Sequence, residues 1–335
     1  MWRGPIQAVF LDGREAPKAG FETLDIITGL RHFFGAPEQA GPRWRLAMAT
    51  MIDTRRVATA PGMTFDVSTG GSGVEPLVLM LHGFGVSRFS WNAQVSALAA
   101  AGYLAAAPNQ RGYSGDARPD PADYANYRID LLIGDALDIV SALGHGERRF
   151  HIVGHDWGAS LAWEIADRYP ERLGSLTILS RPHPLSFTRA LKLDGDQARR
   201  SQHHSRFLDL GAGPDILADD VKWLRTRLSA NGVPAAAIEA HLSVIGNAAA
   251  MEAALAWYRA RGVRHAPVGP TKVPTLYIWG DADDTVGRMA AEGTGEFIAA
   301  PYRFEALPGI GHFVADQAPD QVNALLLEHL ARHPI

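Results

Sequence analysis

Cysteine is absent from all 335 residues, which excludes disulfides, thiolate catalysis and cysteine-ligated zinc. No charge of one sign predominates: 32 basic residues face 36 acidic ones, for a net charge of −4. Without a basic stripe or a like-charge block, the chain lacks the electrostatic footprint expected for binding nucleic acid or an anionic membrane. Long apolar runs are missing too. The compact run Leu77–Leu81 is strand-sized, far below the roughly 20 residues that span a bilayer. The opening stretch, MWRGPIQAVFLDGREAPKAG, has no continuous apolar core of a secretory signal. These absences predict a cytoplasmic protein acting on a small neutral molecule, and a homodimer is compatible with them. Hydrophobic residues make up 47% of the chain, ample for a core.

Residues 1–50 form an extension without a motif, although Phe21, Leu24, Ile27 and Leu30 fall at helical spacing and predict an amphipathic helix over 21–34. From Arg55 onward strands and helices alternate. Leu77–His82 predicts a buried strand, Asn92–Ala101 a helix ended by Gly102, and Tyr103–Ala107 a strand leading into the Pro/Gly-rich loop PNQRGYSGDARPD. Arg128–Leu143 predicts a helix closed by Gly144, Phe150–Gly154 a strand, Ala159–Tyr169 a helix stopped by Pro170, and Leu176–Leu179 a strand. Alternation with near-continuous apolar strands indicates an α/β protein with a mostly parallel sheet flanked by helices. The pattern then breaks. Residues 182–269 contain helical stretches at Asp219–Leu228, Pro234–Val244 and Ala249–Ala260 but no strand. Strands resume at Pro274–Trp279 and Tyr302–Ala306, and Asp320–Leu330 predicts a final helix. The expected organisation is a core domain of 51–181 and 270–335 with an all-helical cap domain, 182–269, over the sheet edge where ligands of such folds sit.

The sharpest local signal is Gly154-His155-Asp156-Trp157-Gly158-Ala159, between a strand and a helix. It has the form of the G-x-S-x-G nucleophile elbow of the α/β-hydrolase fold, with aspartate in place of serine. A helix N-cap would also explain an aspartate here, but a cap needs neither glycine. The residue type carries the chemistry. Serine attacking a saturated carbon would leave an ether that water does not readily cleave, whereas a carboxylate leaves a hydrolysable ester. Asp156 therefore predicts an alkylating substrate, an epoxide or an alkyl halide.

Nucleophile, acid and histidine follow in that chain order in this fold. His312, in the loop Gly309-Ile310-Gly311-His312-Phe313 after the last strand, is the candidate base that activates water. Gly280-Asp281-Ala282-Asp283-Asp284 offers acids after the preceding strand; the G-x-x-D-x-x-V spacing favours Asp283, with Asp284 in reserve. The oxyanion hole needs the amide after the nucleophile, Trp157, and one from the loop His82-Gly83-Phe84-Gly85, namely Phe84.

Over residues 55–335 the chain resembles the epoxide hydrolases of the α/β-hydrolase superfamily, in LHGFG, PNQRGYS, VGHDWGA, RYPERL, ALAWYR and GIGHF. Haloalkane and haloacetate dehalogenases share the fold and the aspartate elbow. The resemblance implies conversion of an epoxide and water to a vicinal diol through an ester on Asp156, with no metal or organic cofactor. Two cap tyrosines usually grip the epoxide oxygen in that family. Tyr258 matches one, and His203 occupies the place of the other, where a neutral imidazole has one N–H to donate. The resemblance further implies His82, Trp157 and Phe313 as substrate-pocket residues. Gly85 stands where the family commonly has proline and gives the oxyanion loop more freedom. A dehalogenase is the alternative, but such enzymes often hold halide with an asparagine where this chain has Phe84. A binding protein without turnover is a further alternative, and such proteins often lose a triad member. A serine esterase is excluded by the elbow itself.

Overall fold

The computed structural model describes residues 51–262 and 267–335, so the helix expected over 21–34 lies outside the described residues. The first elements are two strands that the apolar pattern does not announce: β1 (Asp53–Ala60) and β2 (Met63–Gly70). They pair antiparallel, Asp53 opposite Thr69 and Val57 opposite Phe65, around a turn in which Gly62 takes φ 73°. β1 is an edge strand with mostly exposed polar and charged side chains, a composition that discourages edge-to-edge association and hides the strand from a search for apolar runs.

The alternating segment follows as β3 (Leu77–Leu81), α1 (Asn92–Ala100), β4 (Leu104–Pro108), α2 (Ile129–Val140), β5 (Phe150–His155), α3 (Trp157–Arg168) and β6 (Leu173–Leu179). Gly144, expected to close the second helix, takes φ 88° in a π turn after α2. Among the described residues eight strands form one sheet in the order β1-β2-β4-β3-β5-β6-β7-β8, where β7 is Thr275–Gly280 and β8 is Tyr302–Leu307. Only β1–β2 and β2–β4 pair antiparallel; the remaining pairings are parallel.

Every residue of β3, β5, β6 and β7 is buried, as expected for strands covered on both faces. Their two-residue period distributes side chains between two cores. Leu77, Leu79 and Leu81 of β3 enter one core with Phe150, Ile152 and Trp163, while Val78 and Met80 enter the other. That second core is closed by Val95 and Leu98 of α1 and by Val322, Leu326 and Leu330 of the last helix, Pro319–Arg332. The four-residue spacing of those last three puts them on one helix face; each fully buried leucine contributes about 2 kcal/mol.

Between β6 and β7 stand α4 (Pro184–Leu193), α5 (Gly195–Arg200), α6 (His203–Arg206), α7 (Ala212–Ala230), α8 (Ala235–Ile245) and α9 (Ala248–Arg259). The helix expected at Asp219–Leu228 needs correction. Asp219, Asp220 and Val221 hold φ between 51° and 58°, so α7 is two helical pieces joined across a kink, the second starting after Val221. A β-branched residue in the left-handed region is strained, and Val221 is held there buried in the core shared by this helical insert and the sheet.

Candidate active site

The geometry of the elbow follows from its glycines. Asp156, between β5 and α3, has φ 49° and ψ −110°, a conformation that persists only where surroundings enforce it. A Cβ on Gly158 would lie 2.1 Å from the Leu81 carbonyl oxygen, and one on Gly154 would lie 2.5 Å from the Ala159 Cα. Hydrogen at both positions lets α3 sit against β3 and β5. The loop after β3 closes in similarly: a Cβ on Gly83 would be 2.6 Å from the Asp156 Cβ.

That approach brings the Phe84 amide to 3.0 Å from Asp156 Oδ1. Gly85 takes φ 81°, which proline cannot adopt, so this loop reaches the carboxylate by a glycine turn where the family commonly has proline. The Trp157 amide opens α3, where the first amides have no partner within the helix. Asp156 Oδ2 faces His312 Nε2 at 3.7 Å. On the other side of that imidazole, Nδ1 donates to Asp283, 3.0 Å from Oδ2 and 3.1 Å from Oδ1. Asp283 Oδ1 accepts from the amides of Thr285 and Val286 at 2.7 and 3.0 Å, which explains the spacing to Val286. Asp284 turns away to Arg227, Asn231 and Thr285.

Electrostatics in this buried line are strongly coupled. Burial opposes charge on Asp156, yet His312, His155 and the Phe84 amide outweigh it and hold the carboxyl well below the usual range. Burial likewise opposes charge on His312, but Asp283 and Asp156 prevail and push the imidazole up to about 10. His312 thus carries a proton at neutral pH. The sign of the linkage is set by this raised value: stability gained from the two carboxylates is full below about 6.5 and is lost as pH rises through about 10. In Asp156→Asn one of the two anions is gone, and the His312 imidazole resonance followed by NMR titrates at lower pH than in the wild type. Identical titration curves would show that Asp156 does not control that proton.

Asp156, His312, Phe84, Tyr258, His203 and Phe313 line one cavity with Phe207, Trp223, Leu224, Arg227 and Thr285, with about 310 Å³ of empty space, part of it open to solvent. Tyr258, from α9, is buried in an aromatic cluster, 5.0 Å from Trp157, 5.0 Å from Phe207 and 5.4 Å from Phe84 between ring centroids. Burial and then the Asp156 charge hold its phenol above the ordinary range, so it is a proton donor at neutral pH. Its neighbour Trp257 donates from Nε1 to the Arg111 carbonyl at 3.0 Å, and Arg111 is clamped to Asp135 by two contacts of 2.6 and 2.7 Å. The PNQRGYS loop is therefore scaffolding that holds the α9 aromatics over the elbow.

Three expectations change. His203 lines the cavity, but its Nδ1 lies 2.9 Å from the Arg200 carbonyl, which only accepts. Burial first, then Arg227, lowers its pKa to about 4, so the neutral ring has no second N–H for an epoxide oxygen. His82 is fully buried and not among the cavity-lining residues; its Nδ1 donates to Gly83 O and its Nε2 accepts from the Gln110 amide. It stiffens the oxyanion loop from beneath. Trp157 likewise borders Tyr258 without being among the residues lining the cavity.

Three residues that hold His312 carry no sequence signal of that role. The His312 amide donates to Asn231 Oδ1 at 2.9 Å, and its carbonyl accepts from Ser180 Oγ at 2.7 Å and His155 Nε2 at 2.9 Å. Asn231-Gly232 reads as a helix stop, which gives its place but not its contact.

The α/β hydrolase family model matches residues 78–325. Epoxide hydrolase A of Mycobacterium tuberculosis is 30% identical over 316 residues, covering 83% of this chain and 97% of that protein. A fluoroacetate dehalogenase of a Burkholderia species is 30% identical over 298 residues, covering 83% and 93%. Among solved structures, an epoxide hydrolase from metagenomes of hot environments superposes with a TM-score of 0.74 at 30% identity, covering 84% of this chain and all of that one. The chain belongs to the α/β-hydrolase family, in the branch that includes these epoxide hydrolases and the fluoroacetate dehalogenase.

Proposed function

We propose that the protein is an epoxide hydrolase working through a covalent ester on Asp156. The observation that carries this is an aspartate at the elbow with an imidazole 3.7 Å from its Oδ2 and a phenol, Tyr258, in the same cavity. Asp156 Oδ2 attacks a ring carbon, the carbon–oxygen bond of the epoxide breaks, and Tyr258 gives its proton to the alkoxide. Esterification removes the Asp156 charge. The His312 imidazolium then loses one of the anions that hold it protonated, gives its proton back to the Tyr258 phenolate, and becomes a usable base. It takes a proton from water, the hydroxide adds to the Asp156 Cγ, and the Phe84 amide faces the oxygen on which negative charge gathers. Collapse breaks the bond from Cγ to the substrate oxygen, the proton of the added hydroxyl passes to that oxygen, and the diol leaves with Asp156 again a carboxylate and His312 again protonated. The helices over 182–269 act as a cap that carries Tyr258 and closes the cavity.

A dehalogenase is the competing reading, favoured by the similarity to the fluoroacetate dehalogenase and by an unpartnered Trp157 Nε1. A panel of epoxides with haloalkanes and fluoroacetate separates the two: diol formation without halide release is expected, and halide release without diol would replace the proposal. Tyr258→Phe is expected to slow ring opening about 100-fold, with ester hydrolysis little changed. Single-turnover kinetics check this, and slower ester hydrolysis at unchanged ring opening would remove Tyr258 from the first step.

A further inference from the structure

Ester hydrolysis on Asp156 calls on two loops at once. The loop after β3 supplies the Phe84 amide for the oxyanion, and the loop after β8 supplies the His312 imidazole that activates water. Ring opening calls on neither as a reacting group. Gly85, at φ 81°, gives the first loop backbone freedom just beyond Phe84. That loop is tied down two residues further on, at Ser87.

The tie comes from the cap. His241 of α8 is fully buried. Its Nδ1 lies 3.2 Å from the Ser87 amide nitrogen and 3.1 Å from the Ser87 hydroxyl. An amide N–H only donates, so Nδ1 accepts and the ring proton sits on Nε2. Nε2 donates to Asp316 Oδ1 at 3.3 Å. Asp316 belongs to the short helix Val314–Gln317 that follows His312, and its amide donates to the Phe313 carbonyl at 3.1 Å. Ser90 Oγ donates to Asp316 Oδ2 at 2.8 Å, and the Ser90 amide donates to the Ser87 carbonyl at 3.0 Å. Ser87, His241, Asp316 and Ser90 thus close a hydrogen-bonded ring of buried side chains. A buried polar network with its partners in place fixes one geometry. None of the four is among the residues lining the catalytic cavity, so the ring holds loops and does not touch substrate.

We infer that His241 is a positioning residue for ester hydrolysis: from the cap it ties the Phe84 loop to the His312 loop, so that oxyanion donor and base stay in register on either side of Asp156. The distances it secures are short. The Phe84 amide stands 3.0 Å from Asp156 Oδ1, and His312 Nε2 stands 3.7 Å from Oδ2. Misplacing a reacting group by about 1 Å costs on the order of 100-fold. The cap thereby serves the second half of the reaction as well as the first, where it supplies Tyr258. This rests on the covalent-ester proposal and deepens it.

The experiment mixes excess enzyme with styrene oxide, quenches at intervals, and follows the ester on Asp156 by intact mass together with diol. His241→Ala is expected to slow ester decay about 100-fold and to change ester formation less than about threefold. His241→Gln, whose side-chain N–H can still be given to Asp316, recovers part of the loss. A role confined to stability would lower the amplitude of ester formation and leave both rate constants unchanged. Should the alanine variant not fold, Asp316→Asn, which keeps the shape of the ring but not its charge, must still slow decay more than formation. Unchanged rate constants in the folded variants, or equal slowing of both steps, overturns the inference and leaves the ester proposal standing. Epoxide consumed without an ester in either the wild type or the variants overturns both.

Discussion

Asp156→Ala is expected to lower turnover at least about 10,000-fold, the scale seen when a nucleophile acting in a coupled unit is removed. The protein stays folded, because the elbow's geometry comes from elsewhere. Gly154 and Gly158 allow the close crossing of β5, β3 and α3, and those elements are anchored by cores that do not include Asp156. His312 keeps Asp283 and its three backbone-directed partners. One buried carboxylate is lost, but with it goes the desolvation that opposes its charge. Diol formation by chromatography, with circular dichroism to verify folding, checks the expectation. A loss below about tenfold would mean that water attacks the epoxide directly and that Asp156 only orients it.

His312→Gln is expected to reduce steady-state turnover about 1,000-fold or more while leaving ring opening intact. A glutamine amide retains a donor for Asp283, so the acid loop has no reason to collapse. Ring opening needs only the Asp156 carboxylate and the Tyr258 proton. Ester hydrolysis needs a group that takes a proton from water, and glutamine has none to offer. Rapid mixing should therefore show consumption of about one epoxide per enzyme, followed by near arrest. Equal slowing of both phases would place His312 in the first step and contradict the division of labour.

The parts of this site legible from the chain are those where one residue type had to stand in one place. The glycines around Asp156 are needed because any Cβ there meets backbone. Asp283 was readable because its carboxylate turns back onto the Thr285 and Val286 amides, which ties it to a fixed spacing. β3, β5, β6 and β7 were readable because both of their faces are buried. Where a role depends on a distant partner, the signal vanishes. β1 carries mostly exposed polar residues along the sheet edge, and β2 beside it is largely polar in sequence although paired on both sides, so both resemble a loop. The kink at Asp219–Val221 has no glycine or proline to mark it. The expected helix at 21–34 lies outside the described residues. His203 fills the place of a tyrosine, but its only N–H is directed to Arg200, which no local pattern reveals. Asn231, 81 residues before the histidine it holds, is of the same kind.

The covalent bond between Asp156 and a substrate carbon is the claim on which the chemistry depends. Intact-protein and peptide mass spectrometry of His312→Gln after incubation with styrene oxide tests it most directly. The account requires a mass gain of one epoxide, located on the peptide that contains Asp156. An unmodified protein, when the wild type turns the same epoxide over, would contradict it.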